Sequence, residues 1–104
     1  MIKNDRLCDM FAEQLKKKLA DNLKKIILFG SRARKDSSPE SDYDYMAVVK
    51  DISPGLNDMI DELSAEFMYE YNAVFSVFPV SESRYDREIY NPLFMNVRKE
   101  GILL

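Results

Sequence analysis

IILFGSRARKDSSPESDYDYMAVV, from Ile26 to Val49, holds two apolar runs on either side of a polar loop. The first, Ile26 to Phe29, is short and ends at Gly30, which reads as a buried strand stopped by a turn. The second resumes at Asp42 and runs to Val49. Side chains alternate across a strand, so Asp42, Asp44, Met46 and Val48 share one face. Tyr43, Tyr45, Ala47 and Val49 take the other. Between the runs, Ser37, Ser38 and Pro39 mark an exposed loop.

Helical patterns flank this pair of strands. Leu7, Met10, Phe11, Leu15 and Leu19 recur at helical spacing, predicting a helix from Asp5 to about Asp21 that Asn4 or Asp5 could cap. Lys16, Lys17 and Lys18 suit its C-terminal end. Ser53-Pro54 is a helix start, with serine as cap and proline in the first turn. Leu56, Met59, Ile60, Leu63 and Phe67 form the expected buried stripe, Glu62, Glu66 and Glu70 a solvated face, and Asn72 the end. Ala73 to Val80 reads as a third strand, and Ser81 to Tyr90 and Leu93 to Glu100 as helices. Gly101 stops the last helix before a short edge strand at Ile102 to Leu104. The expected architecture is α/β, a small mixed sheet with helices packed on it, in one domain over residues 1–104.

Composition narrows the chemistry. The 104 residues carry no histidine and one cysteine, Cys8. Ser-His, Cys-His and histidine-metal sites are therefore excluded, as is a cysteine-cluster zinc site. Any metal must sit on oxygen ligands, which favours Mg2+ or Mn2+. The net charge of −3 gives no strong nucleic-acid signal and no pull toward an anionic membrane. With no membrane-length apolar run and no visible signal peptide, the expectation is a cytoplasmic protein. The sequence leaves the oligomeric state open.

Candidate site residues follow from the two strand ends. Glycine at a strand end allows close approach of backbone to a phosphate. Ser31 adds a hydroxyl, and the amides of the turn can face phosphate oxygens. Arg32 and Arg34 are candidates for nucleotide contact. Asp42 and Asp44, two apart on one strand face, can share divalent cations that bridge a triphosphate. Alone, Gly30-Ser31 would be an ordinary turn and Asp42-x-Asp44 a solvated strand end. What singles them out is the combination, with ten residues between Ser31 and Asp42.

Phe29-Gly30-Ser31-Arg32-Ala33-Arg34 and Ser41-Asp42-Tyr43-Asp44 resemble the signature of the DNA polymerase β-like nucleotidyltransferases, and their minimal nucleotidyltransferase branch in particular. The tail, Asn91-Pro92-Leu93 through Arg98 to Leu104, is similar to members of that branch. The resemblance implies a mixed sheet with helices on one face. It implies transfer of a nucleoside monophosphate, most naturally AMP from ATP, with release of pyrophosphate. Asp42 and Asp44 match the metal-ligating, catalytic pair; Gly30 and Ser31 match the triphosphate-contacting turn. It further implies a HEPN-domain protein as partner, for which such chains act as antitoxins by modifying a tyrosine. The wider family usually has a third carboxylate on a later strand. Here that strand holds no acid, and Ser76 is expected at the position. Lys35 stands where the motif often continues with glycine. The alternative to catalysis is a degenerate binding module that neutralises its partner by contact alone.

Overall fold

The computed structural model describes residues 5–34 and 41–104. Asn4, Lys35, Ser37, Ser38 and Pro39, together with the side chain of Asp5, lie outside what is described, and with them the cap and loop expected there. The chain runs through helix α1 (Asp5–Leu19), a single 3-10 turn (Ala20–Asn22), strand β1 (Leu23–Phe29) and the short helix α2 (Ser31–Arg34). Then come β2 (Tyr43–Val49), α3 (Pro54–Tyr71), β3 (Phe75–Ser81), α4 (Glu82–Arg87), α5 (Pro92–Glu100) and β4 (Ile102–Leu103).

The sheet is mixed, in the order β3-β2-β1-β4. β1 runs antiparallel to β2 and β4, and β2 runs parallel to β3. A parallel neighbour needs a crossover, and α3 provides it. Asn72 ends α3 in the left-handed region at φ 52°, donating its backbone N–H to the Met68 carbonyl at 2.9 Å. Asparagine tolerates that conformation better than most residues.

Two cores form, one on each face. On the first, Phe11, Leu15 and Cys8 of α1 and Leu56, Ile60, Leu63 and Phe67 of α3 pack on Ile26, Leu28, Tyr43, Tyr45, Ala47 and Val49. On the second, Tyr85 of α4 and Phe94 and Val97 of α5 pack on Ile27, Met46, Val48 and Val80. Helices therefore cover both faces, which corrects the one-sided packing implied by the resemblance. The cause is visible in β2, where five consecutive residues from Tyr45 to Val49 are buried. A strand buried on both sides needs cover on both sides.

Three smaller expectations also change. Met59 is 39% exposed, so the α3 stripe is the narrower set without it. Ser53 occupies the N-cap position of α3 with no side-chain cap hydrogen bond. β1 begins at Leu23 rather than Ile26, with Lys24 and Lys25 on its exposed end. Among the described residues, no helix is long and apolar enough to cross a membrane.

Candidate active site

The strand ends that the sequence singled out meet at one edge of the second core. Antiparallel pairing sets Phe29 opposite Asp44, and parallel pairing sets Asp44 beside Ser76. Phe29, Asp44 and Ser76 therefore stand in a row across three strands, on one face. Asp42, just before β2, is exposed, while Asp44 is half-buried.

The backbone turns sharply after Phe29. Gly30 has φ +79°, a conformation that glycine adopts without penalty, and its carbonyl accepts the N–H groups of Ala33 and Arg34, both at 3.1 Å. A second constraint is steric. A Cβ on Gly30 would lie 2.6 Å from Oδ2 of Asp44, so the space a side chain would fill holds the carboxylate instead. Glycine here leaves the Asp44 carboxylate its place. Ser31 opens α2 immediately after the turn.

Burial holds the Asp44 carboxyl above the usual carboxylate range, and the neighbouring Asp42 charge pushes it the same way. Two carboxylates held together at a partly dry strand end are unfavourable until something positive joins them. The donor set is all oxygen, which fits a hard divalent cation bound by Asp42 and Asp44. Among the described residues, no group of three or more histidine, cysteine, aspartate or glutamate side chains is arranged for a metal. Ser76, exposed beside Asp44, brings a hydroxyl where a third carboxylate would complete such a group.

The two arginines expected at the nucleotide engage protein groups. Arg32 donates from Nε and Nη2 to the Ser41 carbonyl, at 3.3 and 2.9 Å, and its guanidinium lies 4.0 Å over the Tyr43 ring. Arg34 pairs with Glu100 at the end of α5, at 3.1 Å. A cleft of about 340 Å3 opens beside the row, lined by Phe29, Asp44, Tyr45, Ser76, Val77, Phe78 and Leu93. The sequence marks none of Phe29, Phe78 and Leu93 as a site residue, although Phe29 and Leu93 stand in the motif and tail that carry the resemblance. Strand alternation was the available signal for Phe78, two residues beyond Ser76 and thus on the same face.

Comparison with known proteins identifies the family. The family model described as "Polymerase beta, Nucleotidyltransferase" matches residues 13–104. A Methanocaldococcus jannaschii protein bearing the name "Putative protein adenylyltransferase" is 35% identical over 94 residues, covering 90% of each chain. Among solved structures, a toxin–antitoxin with AMP-PNP aligns with a TM-score of 0.63 at 15% identity, over 91% of this chain and 70% of that one. A mutant of the toxin–antitoxin MntA-HpeT aligns at 0.61 and 18% identity, over 100% of this chain and 72% of that one. At such identities the two structures attest the fold.

Proposed function

The chain belongs to the polymerase β nucleotidyltransferase family, and on that premise we propose that it moves AMP from ATP to a hydroxyl of a protein partner, a HEPN-domain toxin that it thereby silences. It is a nucleotidyltransferase; the nucleotide, the acceptor and the partner are what the proposal adds. The observation that carries it is the Asp44 carboxylate, seated in the space left by Gly30 and flanked by Ser76. In this reading the turn at Gly30 and Ser31 faces the triphosphate, and Asp42 and Asp44 are the catalytic pair that holds Mg2+ or Mn2+. The metal would neutralise charge on the triphosphate and on the departing pyrophosphate.

The chain's own part is placement. Gly30 keeps backbone and carboxylate close, so that phosphate turn and metal ligands address one substrate. The acceptor oxygen attacks the α-phosphorus, the bond to the β-phosphate oxygen breaks, and pyrophosphate leaves. The acceptor's proton goes to solvent or to a base of the partner, because Ser76 is no base at neutral pH. Such transfer depends on two molecules presenting their groups together, and a docked partner supplies that proximity. The adenylyltransferase name of the 35% identical relative supports AMP and a protein acceptor. The fold shared with a toxin–antitoxin solved with AMP-PNP supports the partner and the nucleotide.

Co-expression with the candidate toxin, followed by intact mass spectrometry, tests the reading. One or more added nucleotide units on the partner, lost in Asp42→Asn, is the expected result. That β3 holds no acid favours a second reading, a binding module that inhibits by contact. A tight complex with an unmodified partner, indifferent to Asp42→Asn, would establish that one.

A further inference from the structure

Asp42 and Asp44 are held by different means. Asp44 lies within β2, where pairing to Phe29 and Ser76 on both sides fixes its backbone. Asp42 precedes β2 and is exposed, so no ladder pairing fixes it. Yet a metal shared by two carboxylates needs both in register, since coordination tolerates little displacement.

One side chain grips both neighbours of Asp42. The Arg32 guanidinium donates two hydrogen bonds to the Ser41 carbonyl, at 3.3 and 2.9 Å, and stacks 4.0 Å over the Tyr43 ring. Tyr43 is itself immobilised: its ring stacks on Phe75 at 4.7 Å, and its backbone N–H donates to the Val74 carbonyl at 2.9 Å. The planar fork of arginine suits this double task; a lysine ammonium offers neither the paired donors nor a stacking plane. At its other end, Arg32 stands on α2, the turn that begins at Ser31 and is tied to the Gly30 carbonyl.

We propose that Arg32 is a positioning residue that couples the phosphate turn at Gly30-Ser31 to the metal ligand Asp42, through the Ser41 carbonyl and the Tyr43 ring. It acts through the protein and does not ligate phosphate. A shift of α2 on triphosphate binding is thereby passed to Asp42, and a well-placed Asp42 in turn holds α2. The inference rests on the proposed metal role of Asp42 and Asp44 and adds what aligns them.

The test is Mn2+ binding followed by electron paramagnetic resonance in the absence of nucleotide, on wild type, Asp44→Asn, Arg32→Ala and Arg32→Lys. Arg84→Lys, remote on α4, serves as a control for loss of a guanidinium. Circular dichroism verifies folding; if Arg32→Ala does not fold, Arg32→Lys carries the experiment. Both Arg32 variants should bind Mn2+ about 10–100-fold more weakly, as is usual when a group orienting a metal ligand is lost. Arg84→Lys should match wild type. In transfer assays, raising Mn2+ should restore much of the Arg32→Lys rate, with KM for ATP changed little at saturating metal. Unaltered Mn2+ affinity with a raised KM for ATP would make Arg32 a phosphate ligand and overturn the inference. If wild type and Asp44→Asn bind Mn2+ alike, the metal assignment itself falls, and the inference with it.

Discussion

The two faces of β2 are built from alternate residues of one strand and do opposite things. One presents Tyr43 and Tyr45 to an aromatic cluster in which Phe75 stacks on Phe11 at 4.3 Å and on Tyr43 at 4.7 Å, with Phe67 edge-on to both phenylalanines. Every residue of that face is nearly inaccessible to water. The other face begins with Asp44 at a cleft and becomes apolar only at Met46 and Val48. The aromatic face contributes stability. The acidic face gives some of it up to hold a carboxylate where burial and a like charge both oppose ionisation. A strand can do this because alternation lets a rigid face and a reactive face share one backbone.

The largest effect should come from the acidic face. Asp44→Asn keeps the shape and removes the charge, and should lower nucleotidyl transfer by about a hundredfold or more, the scale seen when one group stabilising developing charge is lost. The same change should raise the melting temperature of the metal-free protein, because the charge removed is an unfavourable one. A variant both inactive and less stable would show that Asp44 supports the fold, and would erase the contrast between the faces. Gly30→Ala should mimic the loss of transfer with both aspartates still present, since its φ is strained for alanine and its Cβ would displace Oδ2 of Asp44. Retained Mn2+ binding and full transfer in that variant would break the steric argument.

The aromatic face should respond in stability. Phe75→Ala empties the centre of the ring cluster and should cost about 3–5 kcal/mol, measured by denaturant unfolding. Beside it, Tyr45 is fully buried, with its hydroxyl donating to the Cys8 carbonyl at 2.9 Å. Burial, and after it the Cys8 side chain, hold the phenol far above its usual range, so it stays neutral and acts as a strut. Tyr45→Phe should cost about 1 kcal/mol by removing that buried hydrogen bond, and should leave transfer unchanged. A large loss of transfer in Tyr45→Phe would mean that the two faces are not separable.

Much of this division is readable from the sequence, for reasons that locate the rest. Alternation along Asp42 to Val49 separates tyrosines from aspartates, because a strand's period is fixed by its backbone. The glycine at position 30 marks the turn, but the reason it must be glycine involves Asp44, fourteen residues on, and local pattern carries no such contact. Arg32 reads in the sequence equally as a phosphate contact and as a solvated loop residue; only the fold brings Ser41 and Tyr43 under its guanidinium. The cover on the second face is missed for a similar reason. α4 is short and α5 presents only Phe94 and Val97 as buried residues, so neither declares an amphipathic stripe of the kind α1 shows.

The smallest effect concerns the polar joint that holds that second cover. Glu88 follows α4 and accepts from Arg84 Nε at 2.9 Å and from Asn91 Nδ2 at 3.0 Å, while Asn91 caps α5 by accepting from the Leu93 N–H. The hydrogen bond from Asn91, then that from Arg84, lowers the Glu88 carboxyl below its ordinary value of 4.5. A lowered carboxyl in the folded state contributes stability that is present above the unfolded value and lost as pH falls through the folded one. The joint should therefore be intact from neutral pH down to about 5 and loosen below 4.5. Glu88 lies on the surface, so the effect on melting temperature should be small and should shrink further in salt. Wild type should melt slightly above Glu88→Gln at pH 7, with the gap closing toward pH 3 as protonation removes the charge from wild type too. Hydrogen exchange should locate the change in α4 and α5, with the amides of α1 and α3 unaffected. A gap that persists at pH 3, or that appears equally under both faces, would show that the joint acts through packing and that acid does not distinguish the two sides of β2.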